Sequence, residues 1–396
     1  MRSAKETLLT RNFILGFFSS LALTMVFFVY YTGMSMYTLE VLGKDTVIAG
    51  TITGIFIAGD VVARFLTSRY IPLIGPKRTC MIFLTVGTLI TLLYFFTQDV
   101  SLICGIAFFH GVTYGIVETS IYTIVISGIP QSRKGEGIGY FMLSNSLASI
   151  LGPFISISLQ NSGAYTEMFI FGTMMSFTSF ILILPVRRLP RKENLEQIGH
   201  GLSSYIEKSA LRVSLVMFLF FFTYSGVLTF IAPYGAELGL EVYASVFFIA
   251  VSISTLFCRL FLGRIYDSHG ENVALIPPLL MYIAGMFMLS SLISGPEMLL
   301  SGLLIGTMVA MLNTVSQALV VRDVPDDRVS VAVSTLSIFW DLSFAVGPLV
   351  HGYIAYGYGL STNYLVMAII ASISFVVYLV LVGIPGYRRR QQILKN

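Results

Sequence analysis

Charge is scarce in this chain: only 11% of its 396 residues are Asp, Glu, Lys or Arg, against about 25% in an ordinary soluble domain. A soluble fold of this length needs far more polar surface than that, which argues against a soluble enzyme, a disordered protein or a nucleic-acid binder. The 24 basic and 20 acidic residues leave a net charge of +4, too small for a polyanion-binding surface unless clustered. Cysteine is nearly absent. Cys80, Cys104 and Cys258 lie inside apolar runs without CxxC spacing or a nearby histidine ligand set, so they read as small buried hydrophobes, neither a disulfide frame nor a metal site. No P-loop, HExxH, GxSxG or Cys/His cluster occurs, which removes the machinery of an ATP-driven pump or a membrane enzyme and implies no cofactor. No cleavable signal is expected, since Met1 to Arg11 forms a short basic leader to an apolar run long enough to span a bilayer.

What the chain does have is hydrocarbon. Hydrophobic residues make up 56% and the mean hydropathy is +0.84. Twelve long apolar runs fall at about 12–34, 47–66, 79–97, 101–127, 137–159, 165–186, 211–235, 243–265, 272–294, 297–320, 331–356 and 362–384. None shows the period-2 alternation of a barrel strand, so helices are the spanning solution. All of the 24 lysines and arginines except Lys44 fall at the termini or at even-to-odd loops. By the positive-inside rule this places both termini in the cytoplasm of a multi-pass cell-membrane protein. Brief loops and the lack of an N-x-S/T sequon fit a bacterial plasma membrane.

The longest polar interval, Arg187 to Ser209, separates six spans from six. Shifting the second half by 195 positions, which carries Arg64 onto Arg259, also superimposes Arg69 on Arg264, Gly75 on Gly270, Gly111 on Gly306, Thr119 on Thr314, Pro130 on Pro325, Arg133 on Arg328, and Gly152-Pro153 on Gly347-Pro348. One constant offset across several spans indicates a duplication of the transporter kind. The expected organisation is an all-α membrane protein of twelve transmembrane helices in two pseudo-symmetric six-helix bundles: 1–186, a cytoplasmic linker at 187–210, and 211–396.

Several of these landmarks resemble a known family. Gly263-Arg264-Ile265-Tyr266-Asp267-Ser268-His269-Gly270 is similar to the G-x-x-x-D-x-x-G loop of the major facilitator superfamily. The stretch Ile129 to Gly137 resembles the P-x-x-R segment joining spans four and five, and Gly152-Pro153 resembles the Gly-Pro signature of its drug/proton antiporters. The resemblance covers nearly the whole chain and is nearest to bacterial twelve-span exporters of drugs or of small metallophores and siderophores. It implies the major facilitator fold. It also implies a gating role for Asp267, which in the family closes the cytoplasmic side. The chain departs from the pattern at Ser68 and Pro72 in the first-half loop, at Ala107 in place of a span-four arginine, and at Ile155-Ser156 after Gly-Pro. A proton relay through that arginine is therefore not available.

A charge near mid-membrane costs about 2.5–3.5 kcal/mol on the lenient insertion scale, so it is a functional candidate by default. Two acids sit deep: Glu118 in span four and Asp341 in span eleven. Each is either a protonation or cationic-substrate site, where proton and cation compete, or a permanently neutral carboxyl tied to a neighbouring helix. Deep arginine is absent by the same count. Tyr114 and Tyr122 share a helical face with Glu118 and, with His110, Asn145, Asn313 and Trp340, are cavity-lining candidates. The alternatives are packing and interhelical hydrogen bonding. Asp60 and Arg64, four apart on span two, form an expected ion pair. Together with Arg133, Arg259, Arg264, Asp267 and Gly270 they are candidates for a cytoplasmic gate. Gly152, Pro153, Gly347 and Pro348 are candidates for helix bending. The expected function is proton-coupled export of a small organic molecule by alternating access, with uptake or facilitated diffusion by the same fold as the alternative. The expected partners are the small-molecule substrate, protons and the lipid bilayer, with no nucleic acid and a monomeric protein.

Overall fold

In a bilayer every backbone N–H and C=O must be satisfied within the protein, and the apolar runs answer with long helices. A computed structural model describes residues 8–130, 133–187, 206–322, 324–325 and 328–395; at some further positions, 260–268 among them, it describes the backbone only. The first six helices are α1 (Arg11–Glu40), α2 (Thr46–Ile74), α3 (Pro76–Leu93), α4 (Val100–Ser127), α5 (Lys134–Asn161) and α6 (Tyr165–Ile183). A 3-10 turn at Lys208–Ala210 leads into α7 (Leu211–Glu237), followed by α8 (Glu241–His269), α9 (Glu271–Ser290), α10 (Gly295–Arg322), α11 (Val329–Tyr358) and α12 (Leu360–Tyr378). A π-helical turn, Leu379–Gly383, joins α12 to α13 (Ile384–Lys395). Among the described residues twelve helices are long and apolar enough to cross a membrane, as the sequence predicts. The expected linker lies largely outside the described residues.

Local chemistry sets the helix ends. The Thr10 hydroxyl accepts from the Phe13 N–H at 3.2 Å, and the Asp99 carboxylate accepts from the Leu102 N–H at 3.0 Å, each satisfying an orphan donor of a first turn. The α2–α3 and α8–α9 corners turn on Gly75 (φ 90°) and Gly270 (φ 84°), a backbone region that an L side chain rarely enters. These two glycines are one of the pairs related by the 195-residue shift.

The chain divides into two compact units, Met1–Gly43 with Ile55–Ile198 and Lys44–Gly54 with Gly199–Asn396. In the first, α1 packs on α5, α6 and α4, and α3 packs on α4 and α6. The Lys77 ammonium donates to the carbonyls of Leu184 (2.7 Å) and Val186 (2.6 Å), closing the negative end of α6. In the second, α7 packs on α11 and α12, α8 on α10, and α9 on α10 and α12. There Asn272, which the shift pairs with Lys77, donates to Gly383 O at 2.8 Å. The first turns of α2 belong to this second unit, where the Thr46 hydroxyl donates to Gly352 O at 2.8 Å.

Small residues set the closest helix contacts, as expected where lipid removes the hydrophobic drive between helices. A Cβ at Gly111 of α4 would run into the Phe56 carbonyl of α2, and one at Gly306 of α10 would run into the Val251 carbonyl of α8. The shift relates both members of these two pairs, so the same backbone contact occurs in each unit.

Candidate functional site

The α2–α4 contact in the first unit carries charge. Gly59 and Gly111 bring the two backbones together, and Gly115 leaves the space that the Asp60 carboxylate fills, since a Cβ there would collide with Asp60 Oδ1. One turn further along, the Arg64 guanidinium lies 3.8 Å from Asp60 Oδ2 and 3.7 Å from Glu118 Oε2, through the same Nη2. The Asp60 side chain is 5% exposed, whereas those of Arg64 and Glu118 are 29% and 28% exposed.

The expected Asp60–Arg64 pair is therefore present, but it is part of a triad with Glu118. The sequence reading sets Arg64 apart from Glu118, and the structure brings the two side chains together. Hydropathy ends span two near residue 66, yet α2 continues to Ile74. That leaves roughly 15 Å of helix beyond Arg64, comparable to the roughly 14 Å of α4 beyond Glu118. Acid and cation thus sit at one level.

A neutral polar strand adjoins the triad. Tyr114 is buried, stacked on Phe27 with centroids 5.3 Å apart, and its hydroxyl faces Thr24. The Thr24 and Ser20 hydroxyls donate to Asn145 Oδ1 at 3.3 and 3.4 Å, so Asn145 of α5 is tied to α1. Tyr122 packs edge-on against Phe141, with centroids 6.0 Å apart. His110 is buried edge-on among Tyr30, Phe56 and Tyr94, at 5.2, 5.1 and 6.0 Å.

In the second unit, Asp341 is 1% exposed. Its neighbour Trp340 packs against Phe344 (4.9 Å) and Phe221 (6.0 Å). Asn313 accepts from Gln317 Nε2 at 2.9 Å, one turn along α10. Gly347 and Gly152 are close-packing positions: a Cβ at Gly347 would strike the Ser225 hydroxyl, and one at Gly152 would meet Phe28 Cβ. Pro153 and Pro348 lie inside helices that run through without interruption. His351 is fully buried, with Nε2 donating to Phe222 O at 3.0 Å and Nδ1 3.0 Å from Asn363 Oδ1, which pins α7, α11 and α12 together.

Of the remaining gate candidates, Arg259 is exposed on α8, Gly270 starts α9, and Arg133 starts α5 with its N–H donating to Pro130 O at 3.0 Å. The side chains of Arg264 and Asp267 lie outside the described residues. The structure adds two acids that the sequence reading does not single out. Glu207, just before α7, accepts from Arg328 Nε at 2.9 Å and pairs with Nη2 at 2.7 Å, while its own N–H donates to the Thr335 hydroxyl at 2.8 Å. The hydrogen bonds from Arg328, and those from Ser209, hold the Glu207 carboxyl below the usual carboxylate range. Glu271 pairs with Arg322 at 3.2 Å. Neither pair has a local signal: Glu207 falls in a polar interval that reads as linker, and its partner is 121 residues away. Among the described residues no group of three His, Cys, Asp or Glu could hold a metal ion.

Comparison with known proteins agrees with this architecture. The chain is 24% identical over 375 residues to an uncharacterised MFS-type transporter of Methanocaldococcus jannaschii, covering 90% of this chain and 92% of that protein. It is 19% identical over 238 residues to the staphylopine export protein of Staphylococcus aureus, covering 58% of this chain and 59% of that one. The crystal structure of a point mutant of the nucleoside transporter NupG superposes with a TM-score of 0.77 over 94% of this chain and 100% of that one, at 12% identity. The family pattern of the Major Facilitator Superfamily matches residues 13–295 and 274–394. With twelve membrane-spanning helices, a duplicated helix contact and that match along nearly its whole length, the chain belongs to the Major Facilitator Superfamily and is a membrane transporter of small molecules.

Proposed function

We infer that this transporter exports a small organic molecule, drug-like or of the metallophore and siderophore kind, by alternating access in exchange for protons. The observation that carries the reading is Glu118, a partly exposed carboxylate within a membrane span and 3.7 Å from a guanidinium. Two carboxylates, Asp60 and Glu118, lie within 4 Å of the Arg64 guanidinium, and the three formal charges sum to −1. The ionised triad therefore attracts one further positive charge, and a proton and a cationic group of the substrate compete to supply it. Asp341 is the deep acid that the second unit contributes in this reading, and Asp267 retains the gating role that the family resemblance implies.

The termini are read as cytoplasmic, because the basic residues gather at the termini and even-to-odd loops. One charge moving through 100 mV supplies about 2.3 kcal/mol, enough for roughly a fifty-fold substrate gradient. The test is flux into inverted vesicles driven by an imposed ΔpH, using a panel of amphiphilic amines and metal-chelating amino acids. Glu118→Gln is expected to abolish ΔpH-driven accumulation while leaving downhill exchange of substrate. Full ΔpH-driven flux in both Glu118→Gln and Asp341→Asn refutes the coupling. Accumulation only in right-side-out vesicles refutes export and establishes uptake.

A further inference from the structure

The triad has a geometry that an ordinary ion pair does not. A charge-assisted N–H···O bond settles at about 2.7–2.9 Å, as Arg328 and Glu207 do. Arg64 Nη2 instead stands 3.8 Å from one carboxylate and 3.7 Å from the other, nearly equidistant and close-bonded to neither. The two acids differ in setting. Asp60 lies on the same helix as Arg64, one turn away, and is enclosed by the α2–α4 contact at Gly115. Glu118 lies on the other helix and is the acid with the greater access.

We propose that Arg64 is a two-position arm, drawn to Glu118 when that carboxylate is ionised and to Asp60 when a proton or a cationic substrate group neutralises Glu118. Asp60 is thus a positioning residue for coupling and not a gate residue. It acts by keeping the guanidinium from settling permanently on Glu118, and by offering it a second carboxylate when Glu118 is occupied. The inference rests on the reading of Glu118 as the proton site. Its physical basis is the cost, in a low-dielectric interior, of removing an ionised carboxylate from beside a guanidinium. With two acceptors available, that cost is avoided in both states, and the arm's position becomes linked to the protonation of Glu118.

The groups around Glu118 suit this exchange. From α2 it faces Arg64 and Asp60, and from its own helix the Tyr114 phenol, which also senses both α2 charges. The buried face of α3 is Thr79, Cys80, Leu84, Gly87 and Thr91, whose one titratable group is the Cys80 thiol. The buried face of α1 has phenols and hydroxyls and no charged side chain. Among the described residues the buried face of α5 likewise has none, Asn145 and Ser144 being its polar groups on that side.

The test uses the full-length protein in proteoliposomes and two readouts: the pH profile of ΔpH-driven flux, and the pH at which a hydrophobic carbodiimide half-modifies Glu118, read by peptide mass spectrometry. Asn at position 60 keeps the shape that Gly115 accommodates but cannot draw the arm. Asp60→Asn should therefore shift both profiles to lower pH, so that about tenfold more protons are required, with maximal flux retained. Asp60→Glu should restore them, and Arg64→Gln should move the half-modification to higher pH. Unchanged profiles in a folded Asp60→Asn protein overturn the two-position arm, as does a loss of flux at every pH with the Glu118 modification profile unmoved. The underlying reading fails separately, if Glu118→Gln keeps ΔpH-driven accumulation.

Discussion

The α2–α4 contact gives a substitution series with an internal control on one helix. At Gly111, an added methyl meets the Phe56 carbonyl oxygen and carbon and the Asp60 nitrogen, all backbone atoms. No rotamer can yield, so α2 itself has to move by about 1–1.5 Å to restore van der Waals contact. Overpacking of this kind costs about 1–3 kcal/mol. At Gly115 the first atom met is the end of the Asp60 side chain, which can swing, and the next is Ala63 Cβ at 2.8 Å, so the methyl displaces the carboxylate and moves α2 by less than at Gly111. At Gly105, on the same helix, nothing lies within 4 Å of the new Cβ, and Gly→Ala in a helix interior should stabilise by about 0.5–1 kcal/mol.

The order of apparent Tm in detergent is therefore Gly105→Ala at or above wild type, then Gly115→Ala, then Gly111→Ala. The two ends of this order, Gly105→Ala and Gly111→Ala, also differ in function. Moving α2 away by about 1.2 Å lengthens the 3.7 Å Arg64–Glu118 approach to about 4.9 Å. At an effective dielectric near 20 this lowers the gross attraction by about 1 kcal/mol, and screening at these partly exposed groups takes off a further share. Gly111→Ala should consequently alter ΔpH-driven flux, and Gly105→Ala should leave it unchanged. If Gly111→Ala proves as stable and as active as Gly105→Ala, the close backbone approach is not a feature of the folded protein and the reasoning fails.

Two other predictions concern the second unit. The Glu207 carboxyl is held below its ordinary range by Arg328 and Ser209, so the stability it contributes is present above the unfolded carboxylate pKa and is lost as pH falls through the lower folded value. The wild-type Tm should thus drop on acidification in that window, with the drop reduced in Glu207→Gln; identical pH–Tm curves for the two proteins would contradict the role of the pair. Replacing Asn363 by Leu removes the partner of the buried His351 Nδ1 and should cost about 1–3 kcal/mol, read as a lower apparent Tm, whereas an unchanged Tm shows that the α11–α12 bond contributes nothing.

Much of the fold is legible in the sequence because a bilayer restricts the choices. Spans follow from hydrocarbon length, and the 195-residue repeat appears in residues whose backbone duties are fixed, such as Gly75 and Gly270 at positive φ and Gly111 and Gly306 against facing carbonyls. Glu118 is legible as a rare deep acid. What hydropathy does not give is where a helix stops: an arginine ends an apolar window without ending the helix, so neither the run of α2 to Ile74 nor the approach of Arg64 to Glu118 is visible in it. Pairs distant in sequence, such as Glu207 with Arg328 or His351 with Phe222, leave no periodic trace, because each needs only one partner and any nearby helix can supply it.

The duplicated contact separates mechanics from chemistry. Where the first copy has Asp60, the second has Thr255, whose hydroxyl donates to Gly306 O at 2.9 Å and staples α8 to α10 without a net charge; where the first has Glu118, the second has Asn313. Both copies keep the glycine-to-carbonyl contact, yet only the first sets two carboxylates at these positions. Evolution of a duplicated gene has thus left a matched reference inside the same molecule: acid, salt or a carboxylate reagent should disturb the α2–α4 seam and spare its twin, so any change common to both seams reports the membrane or the detergent and not the protein's own ionisation.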